Sequence, residues 1–136
     1  MIKELAFVDV LDFKKTKVFL REDGIVHVKL KPEQEITLDD FEEIVKAVTE
    51  LGMAQAQLIL FQAGYNSSVT PEVRKFAAHP NANFLSRGDA IVVQSLAQRL
   101  MANFYIKFNR PSRPTKIFDD VEEATRWLYK VKEDSL

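Results

Sequence analysis

The chain has no cysteine among its 136 residues. That excludes disulfides, a thiolate nucleophile and any cysteine-ligated metal, and it fits a reducing compartment. Long apolar runs are missing too: none approaches the ~20 residues that span a bilayer. The opening Met1-Ile2-Lys3-Glu4-Leu5 lacks the apolar centre of a signal peptide. No excess charge of either sign exists, since 19 basic residues stand against 20 acidic ones. Such a balance exerts no long-range pull on nucleic acid or on an anionic membrane. Glycine and proline are few, four and five, and no repeat, linker or low-complexity segment interrupts the chain. The only histidines, His27 and His79, share no spacing with each other or with a carboxylate pair, which supports neither a metal site nor a triad. These absences point to one cytoplasmic domain over residues 1–136, not an enzyme, with no cofactor, no bound nucleic acid and no stable membrane insertion.

What is present is a core-forming composition, 46% hydrophobic, enough for a domain of this size. The strongest pattern lies between residues 88 and 118. Ala90-Ile91-Val92-Val93 is a short apolar run that reads as a buried strand. Leu96, Leu100, Phe104 and Phe108 then recur four apart, with Met101 and Tyr105 beside them, as one wide apolar helix face. Packing of that face on a sheet is expected, with Phe104 buried. Ile106 falls off the stripe and is expected to be exposed, which together with the hairpin below suggests a homodimer. Pro111 and Pro114 end the helix, and Thr115-Lys116-Ile117-Phe118 is a second strand.

Upstream, Val18–Glu22 and Ile25–Leu30 flank Asp23-Gly24, a hairpin signal. A two-residue turn sets Phe19 opposite Val28 and Leu20 opposite His27; neither face is cleanly polar, so a partner or the N-terminal segment is expected to cover one. The segment Leu5–Val10 is strand-like. Thr37 and Asp40 approximate a capping box for a helix that buries Phe41, Ile44, Val45, Val48 and Leu51 and stops at Gly52. Leu58-Ile59-Leu60-Phe61 is a buried strand without alternation, as in parallel sheets. Thr70-Pro71-Glu72 opens a short helix ending before His79-Pro80, and Asp120 with Glu123 opens the last one. The acidic clusters at 39–43 and 119–123 sit at helix starts, where the macrodipole accounts for them. The order predicts an α/β domain with a mixed sheet of four to five strands and helices mainly on one face.

The loop Gln62–Ser68 follows the C-terminal end of a buried strand, where ligands sit in open α/β sheets. Tyr65 and Asn66 are therefore candidates for the rim of a ligand or partner site. Arg99, Lys107, Arg110, Arg113 and Lys116 gather positive charge around the 95–108 helix; Arg99 and Arg110 are further rim candidates, for a phosphate, a headgroup or an acidic partner.

The element order, with a short helix after the third strand, resembles the STAS superfamily, the fold of SpoIIAA-like anti-sigma-factor antagonists. The runs Asp89–Leu100, Ala102-Asn103-Phe104-Tyr105 and Pro114–Phe118, followed by Glu123-Ala124 and Trp127-Leu128, resemble a small uncharacterised Bacteroidetes branch of that superfamily. In the antagonists a serine or threonine at the start of the short helix is phosphorylated by a partner kinase. The resemblance implies Thr70, Ser67 or Ser68 in that role, although Asn66-Ser67-Ser68-Val69 has Asn for the acid and Val for the glycine of the motif. A phosphate there would meet free N–H groups at a helix start; the plain alternative is that Thr70 only caps. The resulting expectation is a regulatory domain that binds a protein partner. The alternative is a binder of a small apolar ligand or lipid, because SpoIIAA-like proteins resemble CRAL-TRIO lipid carriers and ten Phe residues make an apolar cavity feasible.

Overall fold

The structure is a computed structural model that describes residues 7–79 and 86–134. Strands β1 (Phe7–Asp12), β2 (Thr16–Arg21) and β3 (Val26–Leu30) form an antiparallel meander. The chain continues through β4 (Glu35–Ile36), α1 (Leu38–Leu51), β5 (Gln57–Gln62), β6 (Ser68–Val69) and α2 (Pro71–Ala78). It then runs through β7 (Ser86–Val92), α3 (Leu96–Phe104) with a π-helical turn at Tyr105–Asn109, β8 (Thr115–Phe118) and α4 (Val121–Asp134).

The main sheet has six strands in the order β1-β2-β3-β5-β7-β8, and β4 pairs with β6 in a separate two-stranded sheet. From β3 onward all main-sheet pairs are parallel. The sequence suggested four to five strands. β1 raises the number, pairing with β2 from Phe7; Leu5 and Ala6 of the expected strand lie outside the described residues.

Successive crossovers step the same way along the sheet, and right-handed connection then stacks their helices on one face. Ile59 on that face packs with Phe41, Ile44 and Val48 of α1, Val73 and Ala77 of α2, and Tyr105. Leu58 and Leu60 turn to the opposite face, where Ala124 and Leu128 of α4 close a second core with Phe118. The β5 run lacks alternation because both of its faces are covered.

Local signals account for most element ends. Thr37 and Asp40 form the full capping box of α1. The Thr70 hydroxyl accepts from the Val73 N–H at 3.3 Å, and Pro71 occupies the first turn of α2. His79 is the residue that closes α2. The Asp120 carboxylate accepts from the Glu123 N–H at 2.8 Å at the start of α4.

The β2–β3 hairpin differs from the two-residue expectation. Phe19 pairs with His27 and Leu20 with Val26, so the turn has one more residue, Glu22-Asp23-Gly24. Gly24 takes a φ of +85°, and the Asp23 carboxylate accepts from the Ile25 N–H at 3.2 Å. That is a three-residue turn with a left-handed glycine. Val18, Val26, Val28, Phe19 and His27 are all buried within the chain, so the hairpin has no bare apolar face that calls for a partner.

The larger difference is the orientation of α3. Leu96 is 71% exposed, Phe104 43% and Phe108 63%, with Leu100 and Met101 exposed beside them. The buried residues of this segment are Ala102 and Tyr105, while Ile106, expected outside, is half-buried and packs on the α1–α2 core. The wide apolar stripe thus faces solvent, and the expectation that Phe104 is buried fails. The cause lies on the opposite side of the helix. Gln98 donates to the carbonyls of Gly64 at 2.9 Å and Ser67 at 3.1 Å, and its side-chain oxygen accepts from the Gln94 N–H at 2.8 Å. These bonds turn Gln98, Ala102 and Tyr105 inward.

Candidate functional site

A cavity of about 480 Å³ lies beneath α3, within the ~300–1,000 Å³ of small-molecule sites. The inner face of α3 is small at Ala102, and Gln98 is drawn to the β5–β6 loop by its bonds to Gly64 and Ser67, while Leu96, Leu100, Phe104 and Phe108 point outward. Leu30, Phe61 and Ile91 form the sheet side, and Phe41, Ile44 and Val73 the wall given by α1 and α2. Residues toward the interior are buried, whereas Asn66, Ser68, Ser95 and Met101 on the lining are exposed. The mouth therefore opens between the β5–β6 loop and α3.

The titratable groups of the lining are few. Asp89, 2% exposed, accepts from Arg113 Nε at 2.7 Å and from the Ser86 hydroxyl at 2.5 Å. Arg113 also donates to the Ala77 carbonyl at 2.6 Å. Burial pushes the Asp89 carboxyl upward, against the pull of Arg113 and Ser86. Burial likewise pushes the Tyr105 hydroxyl up to about 12. Arg74, at the start of α2, donates from Nη1 to the Val69 carbonyl at 3.1 Å and stands 5.7 Å from the centre of the Phe104 ring.

Of the residues singled out from the sequence, Asn66, Ser67 and Ser68 meet on this lining. Ser67 is buried, its hydroxyl donating to the Gly64 carbonyl at 2.9 Å, and Ser68 is exposed. Thr70 lies off the lining, in its capping bond. Tyr65 is exposed and does not line the cavity. Arg99 is ion-paired with Asp119 over a separate hollow beside Gln94 and Leu96. Arg110, in a left-handed conformation after the π-helical turn, is also away from the cavity. The basic cluster read from the sequence is thus dispersed: Arg113 is spent on Asp89, while Lys107 and Lys116 lie over the rings of Phe108 and Phe118. Sequence reasoning missed Arg74, Asp89 and Gln98. The spacing of Gln98, Ala102 and Tyr105 was the available sign of a second helix face.

A family model described as a domain of unknown function, DUF7793, matches residues 19–132. The chain belongs to that family. Among solved structures it is similar to an uncharacterised DUF3478-family protein with a SpoIIAA-like fold from Shewanella loihica PV-4. The two share 15% sequence identity and a TM-score of 0.53, over 94% of this chain and 98% of that one. At that identity the likeness establishes the fold, and the DUF7793 chain has the SpoIIAA-like architecture that its element order suggested. No curated protein matches the chain. No helix among the described residues is long and apolar enough to cross a membrane.

Proposed function

We propose that this STAS-like domain binds a small, largely apolar molecule in the cavity beneath α3. The observation that carries the reading is the cavity itself: a hollow of about 480 Å³ walled mainly by aliphatic and aromatic side chains. The reading is of a cytoplasmic binding domain and not of an enzyme. Both oxygens of Asp89 already hold protein partners, which leaves that carboxylate engaged elsewhere than in proton transfer.

Titration with the neutral fluorophore N-phenyl-1-naphthylamine tests it. Saturable enhancement at one site per chain is expected, and Ala102→Leu, which extends a side chain into the hollow from α3, should weaken it. Absence of saturable binding by a folded wild-type protein overturns the reading.

A second reading, docking of a protein partner, is favoured by one observation: the exposed apolar stripe Leu96, Leu100, Phe104 and Phe108. A second copy of the chain is the simplest occupant. Sedimentation equilibrium then shows self-association that Leu100→Glu abolishes, and a lone 15.6 kDa species at all concentrations removes the homodimer. Phosphorylation of Thr70, Ser67 or Ser68 belongs to this second reading; Ser68 is the exposed hydroxyl of the three that also borders the cavity mouth.

A further inference from the structure

The lining of the cavity carries an uncompensated positive charge. Two charged acid or base side chains other than tyrosine line the hollow, Asp89 and Arg74. Asp89 is matched by Arg113, 2.7 Å away and itself buried, so that pair adds no net charge. Arg74 has no such match: no carboxylate pairs with it among the described residues. The sequence offers none nearby on its own helix either, because the positions three and four away are Thr70, Pro71, Ala77 and Ala78.

The bonding of the Arg74 guanidinium is one-sided. Nη1 donates to the Val69 carbonyl. Nε is buried and has no partner, and no described residue accepts from Nη2. Nε and Nη2 form one edge of the planar fork, the edge that engages the two oxygens of a carboxylate side by side. A guanidinium drawn partly out of water with that edge unused carries a desolvation cost that an anion would offset.

We propose that the ligand is an amphipathic acid, with its carboxylate on the Nε–Nη2 edge of Arg74 and its apolar tail among Leu30, Ile36, Phe41, Ile44 and Phe61. This rests on the cavity being a binding site and adds the chemical class of its occupant. Phe104 backs the guanidinium from the α3 side, so the head lies beneath the helix end and the tail runs toward α1 and the sheet. A carboxylate suits this single cation better than a phosphate dianion, which would bring a second charge with no second partner, because Arg113 is already taken.

Displacement of N-phenyl-1-naphthylamine by dodecanoate and by 1-dodecanol, both below their micelle concentrations, separates head from tail. For the wild-type protein dodecanoate should compete roughly ten-fold better than the alcohol, the scale of one charge-assisted contact. In Arg74→Gln the ratio, measured against that variant's own fluorophore affinity, should fall to near one, and an unchanged circular-dichroism spectrum shows that the variant is folded. Arg74→Lys should restore part of the preference. Equal competition in the wild type, or a preference that survives Arg74→Gln, overturns the assignment of the head while leaving the cavity reading in place. Tighter binding of dodecyl phosphate through Arg74 overturns the choice of carboxylate. Failure of all probes to bind overturns the cavity reading and this inference together.

Discussion

His27 shows how much one buried side chain reports about its surroundings. Its Nε2 lies 2.8 Å from Gln62 Oε1 and its ring 4.4 Å from that of Phe19. Burial lowers its pKa to about 4, with Arg21 and Lys29 adding to the effect and Gln62 and Asp23 opposing it. The folded protein thus holds the neutral imidazole where an unfolded chain takes up a proton below about 6.5. Stability from this group is fully present above that value and is lost as pH falls through the window toward 4, by about 3 kcal/mol in all. His27→Gln should lose this slope, so that the difference between the two stability curves isolates it, since Asp89, pushed upward by burial, contributes alike to both. Equal slopes between pH 4 and 6.5 would show that the histidine is solvated. Phe104 supplies the opposite case. A core phenylalanine costs ~3–5 kcal/mol when cut to alanine, but this ring is 43% exposed. Phe104→Ala should therefore cost about 1 kcal/mol, read as a small shift in the denaturation midpoint. A core-sized loss would place the ring inside.

At the level of elements, the β5–β6 loop and α3 act as one unit. The Gly64 carbonyl accepts from the Ser67 N–H, the Ser67 hydroxyl and Gln98 Nε2. The glycine also has no room for a side chain: a Cβ would stand 2.3 Å from the Leu30 carbonyl oxygen and 2.8 Å from the Lys31 carbonyl carbon. Backbone cannot swing aside as a flexible side chain can. Gly64→Ala should cost more than about 2 kcal/mol and loosen the Gln98 anchor, weakening fluorophore binding as well. Gly24→Ala is the control, since its Cβ meets nothing and only the left-handed φ of +85° is penalised, at ~1 kcal/mol. If the two variants unfold alike in urea, steric crowding at Gly64 is not the controlling factor. The sequence made the caps of α1 and α2, the parallel strands and the element order readable, because each follows from a few neighbouring residues. It misled on the hairpin register, which depends on one left-handed glycine, and on α3. Periodicity finds the apolar face of a helix but assumes that this face is the buried one. Here the deciding contacts are side-chain bonds from Gln98 to a loop about thirty residues earlier, which no local pattern encodes. For the same reason Arg74 passed unnoticed: the ring beside its guanidinium, Phe104, comes from the end of α3, thirty residues later.

On the scale of the whole molecule, the two faces of the sheet are filled unequally. The α4 side closes on Leu60, Ala90, Ala124 and Leu128, all fully buried. On the other side the residues between α1 and the sheet are as tightly enclosed, Val28 and Ile59 of the sheet and Ile44 of α1 among them, yet the space beneath α3 stays open. Interiors normally pack to crystal-like density, and filling an apolar hollow is a common route to added stability. A fold that closes both cores and leaves this one space open holds back stability that an occupant can return. The linkage is quantitative: a ligand that binds only the folded state at a hundred times its dissociation constant adds ~2.7 kcal/mol. With N-phenyl-1-naphthylamine at that level, the urea midpoint should rise by the corresponding amount with no change in slope, because the surface exposed on unfolding is almost the same. Ala102→Leu should raise the midpoint without ligand, by partly filling the hollow, and should lose most of the ligand-dependent rise. A fluorophore that raises the midpoints of the wild type and of Ala102→Leu equally would be engaging the exposed α3 stripe instead. In that event the outer face of α3, and not the space beneath it, would be the functional surface.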